Sequence, residues 1–185
     1  KVRGHFTKLR SQTMANIDRL DPGKAVGAAR KDLIGEILFD LVDANANLLR
    51  VVGPLIRRGH QHGGDRAMAD AADALGLEQP EAFDAAADSV QQAIRIQEIR
   101  IRGINRTVRE SIRRQLAEAL DAGETLDQMR QRISSRFDVA RGRAATIART
   151  EIGKAVESGT FAGRKQAGVP LKSWLWSRKE QGRPD

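Results

Sequence analysis

Apolar residues recur at three- and four-residue steps over most of the chain, the period of a helix buried along one side. The first run, "FTKLRSQTMANIDRL", predicts a short helix closed by the turn residues Asp21, Pro22 and Gly23. From Lys24, the positions Leu33, Ile34, Ile37, Leu38, Leu41, Val42, Leu48, Leu49, Val52 and Leu55 predict one long helix, weakened at its end by Gly53 and Pro54. The following "RRGHQHGGD" reads as a polar, glycine-bearing loop, and "DRAMADAADALG" as a short helix stopped by Gly76. Pro80 is placed to open the next helix. Its seam of Phe83, Ala87, Val90, Ile94, Gln97 and Ile101 alternates steps of four and three, like a heptad repeat. The same face continues past Gly103 through Ile104, Val108, Ile112 and Leu116, as one long helix or as two collinear pieces broken near Gly103, and Gly123 ends it.

Thr125 followed by Gln128 has the capping-box form and opens a short helix holding Leu126, Met129, Ile133 and Phe137. Asp138 is placed to cap one more helix, which Gly168 and Pro170 terminate. In "VPLKSWLW" the period changes to that of a strand, with Trp174 and Trp176 on one side and Leu171 and Leu175 on the other. The expected fold is therefore mainly α: an elongated helical bundle of long amphipathic helices, with a small C-terminal β element around Trp174–Trp176. An N-terminal helical region over 1–78 and a second unit over 79–185 are the expected divisions.

One position breaks the pattern. In "RAATIARTEIGKAVESGTFAGRKQAGV" the residues Ala144, Ile147, Ala148, Ile152, Ala155, Gly159 and Ala162 share one arc, and Glu151 falls inside it. A carboxylate facing a core is costly unless it is paired and hydrogen-bonded. Arg143, Arg149 or an arginine from another helix would answer it. A structural ion pair outweighs a general base as the role of such a group.

Composition changes this picture little. The 185 residues are 40% hydrophobic and 30% charged, the balance of a folded water-exposed protein. Aromatic residues make up only 4%, so small and aliphatic side chains must do the packing. Absence of Cys excludes disulfides, thiolate zinc sites and a cysteine nucleophile. No apolar run approaches the roughly 20 residues that span a bilayer, and "KVRGHF" lacks a signal peptide's apolar core. A start without Met suits a fragment, a fusion or a processed product.

Charge is more telling. Of the net +8, residues 1–94 contribute −1 and residues 95–185 contribute +9, so the basic excess belongs wholly to the second half. Arg95, Arg102, Arg106, Arg109 and Arg113 form a strip beside the seam, suited to phosphate or carboxylate contacts. A solvated face paired locally to Glu98 and Glu110 is the plainer reading. A surface for DNA or an acidic protein is the functional one. No aromatic interleaving supports single-strand stacking, and no sequence-reading motif is present. His60, His62 and Asp65 share a stretch but lack a defined ligand spacing, so no metal site and no cofactor is expected. No nucleophile elbow or phosphate-cradling loop occurs.

The stretch "IARTEIGKAVESGTFAGRKQAGVPLKSWLW" resembles the head-morphogenesis domain of tailed bacteriophages, the Mu F-like minor head protein family. The resemblance rests on Ile147 to Glu151, the small-residue helix Ala155 to Ala167, the turn at Gly168 and Val169, and the strand Lys172 to Trp174. "INRTVRESIRRQLAEALDAGETLDQMRQRI" is similar to the family's approach to that motif, and looser similarity extends back to about Phe6. By this resemblance Arg149, Thr150, Glu151 and Trp174 are the signature, with no catalytic residue implied. The tail "SRKEQGRPD" keeps Arg183 but lacks the acidic residue and the His that usually follow the strand, so a site completed by that tail would be unfinished here.

The resemblance implies a non-enzymatic minor capsid protein inside the phage head near the portal vertex, in the host cytoplasm during assembly. It would aid head assembly and DNA packaging or delivery, in some members fused behind a portal protein. Its partners would be the portal, other capsid proteins and packaged double-stranded DNA, in an oligomeric setting without membrane. A nuclease-like enzyme using Glu151, and a free-standing DNA-binding helical protein without sequence preference, are the alternatives.

Overall fold

The computed structural model describes residues 2–19, 30–76, 78 and 80–169. Over these residues it has five helices: α1 (Val2–Asp18), α2 (Arg30–Ile37), α3 (Leu41–Leu75), α4 (Asp88–Asp121) and α5 (Leu126–Gln166). The fold is thus mainly helical, as the periodicity requires. The strand expected around Trp174–Trp176 lies outside the described residues, as does Trp174 itself. Among the described residues, no helix is long and apolar enough to cross a membrane.

Helix boundaries differ from the expected ones at four places. The run from Lys24 is not one helix, because it breaks at Leu38–Asp40 between α2 and α3. Phe39 is fully buried there, its carbonyl oxygen accepts from Arg109 Nε at 3.2 Å, and Asp40 caps α3 by accepting from the Asp43 amide at 2.8 Å. Pro80 does not open α4, which begins at Asp88; the chain between them carries Phe83 into the core. Conversely, α3 runs straight through Pro54 and "RRGHQHGGD", and α5 runs through Asp138 without a new cap. Asp138 instead pairs with Arg141 and with Arg10 of α1.

The reason for α3's continuity is its partner. Proline inside a helix costs about 3 kcal/mol and each glycine about 1, so local preference alone favours a loop. But α3 and α5 form the most extensive helix pair, and they touch backbone to backbone. A Cβ added at Gly63 would lie 2.1 Å from the Val156 carbonyl oxygen, and one added at Gly159 would lie 2.1 Å from that of His60. Only glycine permits this approach. Gly163 faces Gly64 in the same way, and Phe83 seats its ring over Gly64. The glycines that read as a loop are a packing surface.

The seam on α4 is buried as its spacing requires: Val90, Ile94, Gln97, Ile101, Ile104, Val108, Ile112 and Leu116 all face inward, on an unbroken helix through Gly103. The Thr125–Gln128 capping box opens α5 with both reciprocal bonds present. Gly168, at φ +69°, closes it, with Val169 N bonding back to the Arg164 carbonyl. One hydrophobic core draws on all five helices, from Phe6 and Ile17 through Ile37, Leu48 and Ile56 to Ile112, Ile133 and Phe137. The 78/79 division falls in the connection between α3 and α4.

Candidate functional site

Position 151 lies on α5 at an azimuth that follows from residue number alone, and the fold turns it inward. The Glu151 residue is 4% exposed. Its Oε1 accepts from Lys154 Nζ at 3.0 Å, one turn along the same helix, and its Oε2 accepts from Arg100 Nη1 of α4 at 3.4 Å. Both cations are about half exposed, so the pair sits at the edge of the core with its positive ends in water. Arg149 and Thr150, the neighbouring signature residues, are exposed on the outer side of α5.

Arg100 is also the first residue of a groove between α4 and α5, with a volume of about 910 Å³. Arg100, Arg106 and Arg114 come to it from α4, Arg136 and Arg143 from α5. Ile104, Val108, Ala144 and Ile147 form its apolar floor, and Glu110 is the one carboxylate along it. Among the described residues, Arg106, Arg114, Arg136 and Arg143 are in no ion pair. The groove therefore combines unneutralised guanidinium groups with apolar surface. Arginine at this spacing can hold carboxylates or phosphates in bidentate fashion.

The strip expected from the sequence divides. Arg95, Arg102, Arg106 and Arg113 are exposed along α4, and Arg113 lies 3.9 Å from Glu110. Arg109 is half-buried and holds the Phe39 carbonyl, a fold contact rather than a free cation. Only Arg106 belongs to both strip and groove. The strip's spacing misses the other groove arginines, although a different signal marks them: Arg100 and Arg114 are two heptads apart on α4, and Arg136 and Arg143 one heptad apart on α5.

Two of the three histidines serve the interior. On a helix, residues two apart point to nearly opposite sides, so His60 faces inward while His62 is exposed and Asp65 accepts from Gln61. His60 is 1% exposed; its Nε2 donates to Gln97 Oε1 at 3.1 Å, while Nδ1 has no partner. His5 Nε2 donates to Asn105 Oδ1 at 3.1 Å, and Asn105 Nδ2 donates to Asn45 Oδ1 at 3.1 Å, tying α1, α4 and α3. Burial lowers the pKa of both histidines, opposed in each case by its amide partner; at His5 the Lys8 charge lowers it further.

Comparison with known proteins adds one match. The family model described as Phage Mu protein F like protein matches residues 110–185, which take in the end of α4, all of α5 and Glu151. The resemblance read from "IARTE" and its flanks holds over that span, and residues 1–109 lie outside it. No curated protein and no solved structure matches the chain.

Proposed function

Taking the similarity of residues 110–185 to the phage Mu protein F like family as the premise, we propose that the chain is a phage head-morphogenesis protein. It is a minor capsid component inside the head near the portal vertex, without enzymatic activity, aiding assembly and DNA packaging or delivery. The observation that carries this reading is the family match. The exposed arginines Arg95, Arg102, Arg106 and Arg113 support it by giving the second half a face for packaged double-stranded DNA or for the acidic surface of the portal or another capsid protein.

The engagement of both Glu151 oxygens by cations favours a structural carboxylate over a nuclease base. A free-standing DNA-binding protein is the second reading, favoured by the same exposed arginines. Reconstruction of intact particles separates the two. Density for this chain at the portal vertex, together with copurification with the portal ring, is the expected result. Its absence from the particle would overturn the minor-capsid reading in favour of the DNA-binding one.

A further inference from the structure

The charge asymmetry of the chain has a spatial form. Residues 65–88 carry seven acidic residues against Arg66 alone. Asp70, Asp73, Glu78, Glu81, Asp84 and Asp88 are all exposed, and Leu75 beside them is 63% exposed. Even with Arg164 and Lys165 on the last turn of α5, this end stays acidic. The arginine groove lies towards the other end. Asp88 opens α4 and Arg114 lies near its close, 26 residues on, which is roughly 40 Å of helix.

Two opposite charges that far apart cannot neutralise one another within one molecule, where salt screens beyond about 10 Å. Two copies, however, can bring them together. We propose that the α4–α5 groove receives the acidic end of a second copy of this chain, carboxylates of residues 70–88 meeting Arg106, Arg114, Arg136 and Arg143, with Leu75 against the apolar floor. The groove's own chemistry selects this occupant. A symmetric contact of groove with groove would oppose like charges, and residues 170–185, with four basic residues against two acidic, share the groove's sign. Nucleic acid would satisfy the arginines but not the floor of Ile104, Val108, Ala144 and Ile147. Because groove and acidic end are different surfaces, the contact is head-to-tail and leaves one of each free, so it extends to rings or chains.

The inference stands on the groove and the acidic end, not on the family reading. It is tested on the full chain by sedimentation velocity over a concentration series, at low and high salt. Self-association is expected, weakening by roughly tenfold or more on raising the salt. A groove variant, Arg114→Ser with Arg143→Ser, and an acidic-end variant, Asp73→Asn with Glu81→Gln, should each be monomeric with unchanged circular dichroism. Their mixture should form one-to-one dimers and nothing larger, since one intact groove and one intact acidic end remain. A monomeric wild-type chain at the highest attainable concentration overturns the proposal. So does association that survives in either variant, or a mixture that stays monomeric. If the groove variant instead loses duplex DNA binding while self-association is untouched, the groove is a nucleic-acid surface and the proposal fails.

Discussion

Glu151 of α5 and Arg100 of α4 are joined across 51 residues of sequence, Oε2 to Nη1 at 3.4 Å, with the carboxylate buried and the guanidinium half in water. This ion pair and the Lys154 bond give the buried acid its partners. Fully buried pairs lose about 3–5 kcal/mol when broken from one side, but Arg100 and Lys154 can turn to solvent, so screening reduces the cost. Glu151→Gln should lower the unfolding free energy by about 1–2 kcal/mol, read from urea midpoints. A double-mutant cycle with Arg100→Ala should show positive coupling; zero coupling would mean that the pair contributes nothing.

Gly63 and Val156 are in backbone contact, so a methyl group at 63 has no space. Gly63→Ala and Gly159→Ala should each destabilise by about 2–3 kcal/mol or more through forced separation of α3 and α5. Gly153→Ala, where nothing lies within 4 Å on the exposed side of the same helix, should stabilise by about 0.5–1 kcal/mol. Thermal unfolding of the three variants decides. Equal effects would show that α3 and α5 do not meet as described.

The two buried histidines set a pH dependence. Their folded pKa values lie below the ordinary 6.5, so as pH falls through about 6.5 the unfolded chain takes up protons that the folded chain refuses. The stability they contribute is complete above that pH and is lost as the pH drops towards the folded values. Each group contributes a slope of at most about 1.4 kcal/mol per pH unit. Denaturation at about pH 7.5 and about pH 5.5, on either side of the ordinary histidine value, should show the loss, and His5→Gln with His60→Gln should flatten it. An unchanged slope in that double variant would assign the effect to other groups.

Arg102 and Arg109 are separated by two helical turns, yet only Arg102 is free to meet a polyanion. Arg102→Ala should weaken duplex DNA binding and reduce the salt slope by about 0.9 for each phosphate that the protein no longer neutralises. Arg109→Ala should leave binding nearly unchanged and cost about 1 kcal/mol of stability through the orphaned Phe39 carbonyl. Fluorescence anisotropy across a salt series, with unfolding curves beside it, distinguishes them; the reverse assignment would refute this division of the strip.

Removal of the α5 cap offers a local check. Thr125→Ala should cost about 1 kcal/mol, since the Gln128 amide then has no acceptor. Hydrogen exchange should speed up in the first turn of α5 while the Glu151 region keeps its protection. Loss of protection along the whole helix would show that α5 depends on its cap rather than on its packing.

Rotation about each helix axis was legible from spacing. Spacing alone put Val90 through Leu116 on one face of α4, opened α5 with Thr125 and Gln128, and turned Glu151 inward, because azimuth on a helix depends only on residue number. Tertiary structure decided continuity and partnership. Gly59, Gly63 and Gly64 are loop-formers by local preference, and their cost within α3 is offset by α5, approaching backbone to backbone, and by the Phe83 ring over Gly64. Phe39 breaks the second helix because its burial and the Arg109 bond outweigh one more helical turn. Arg100 as the partner of Glu151, and Arg114 with Arg143 across one groove, arise from α4 and α5 lying antiparallel, a relation that no local spacing encodes.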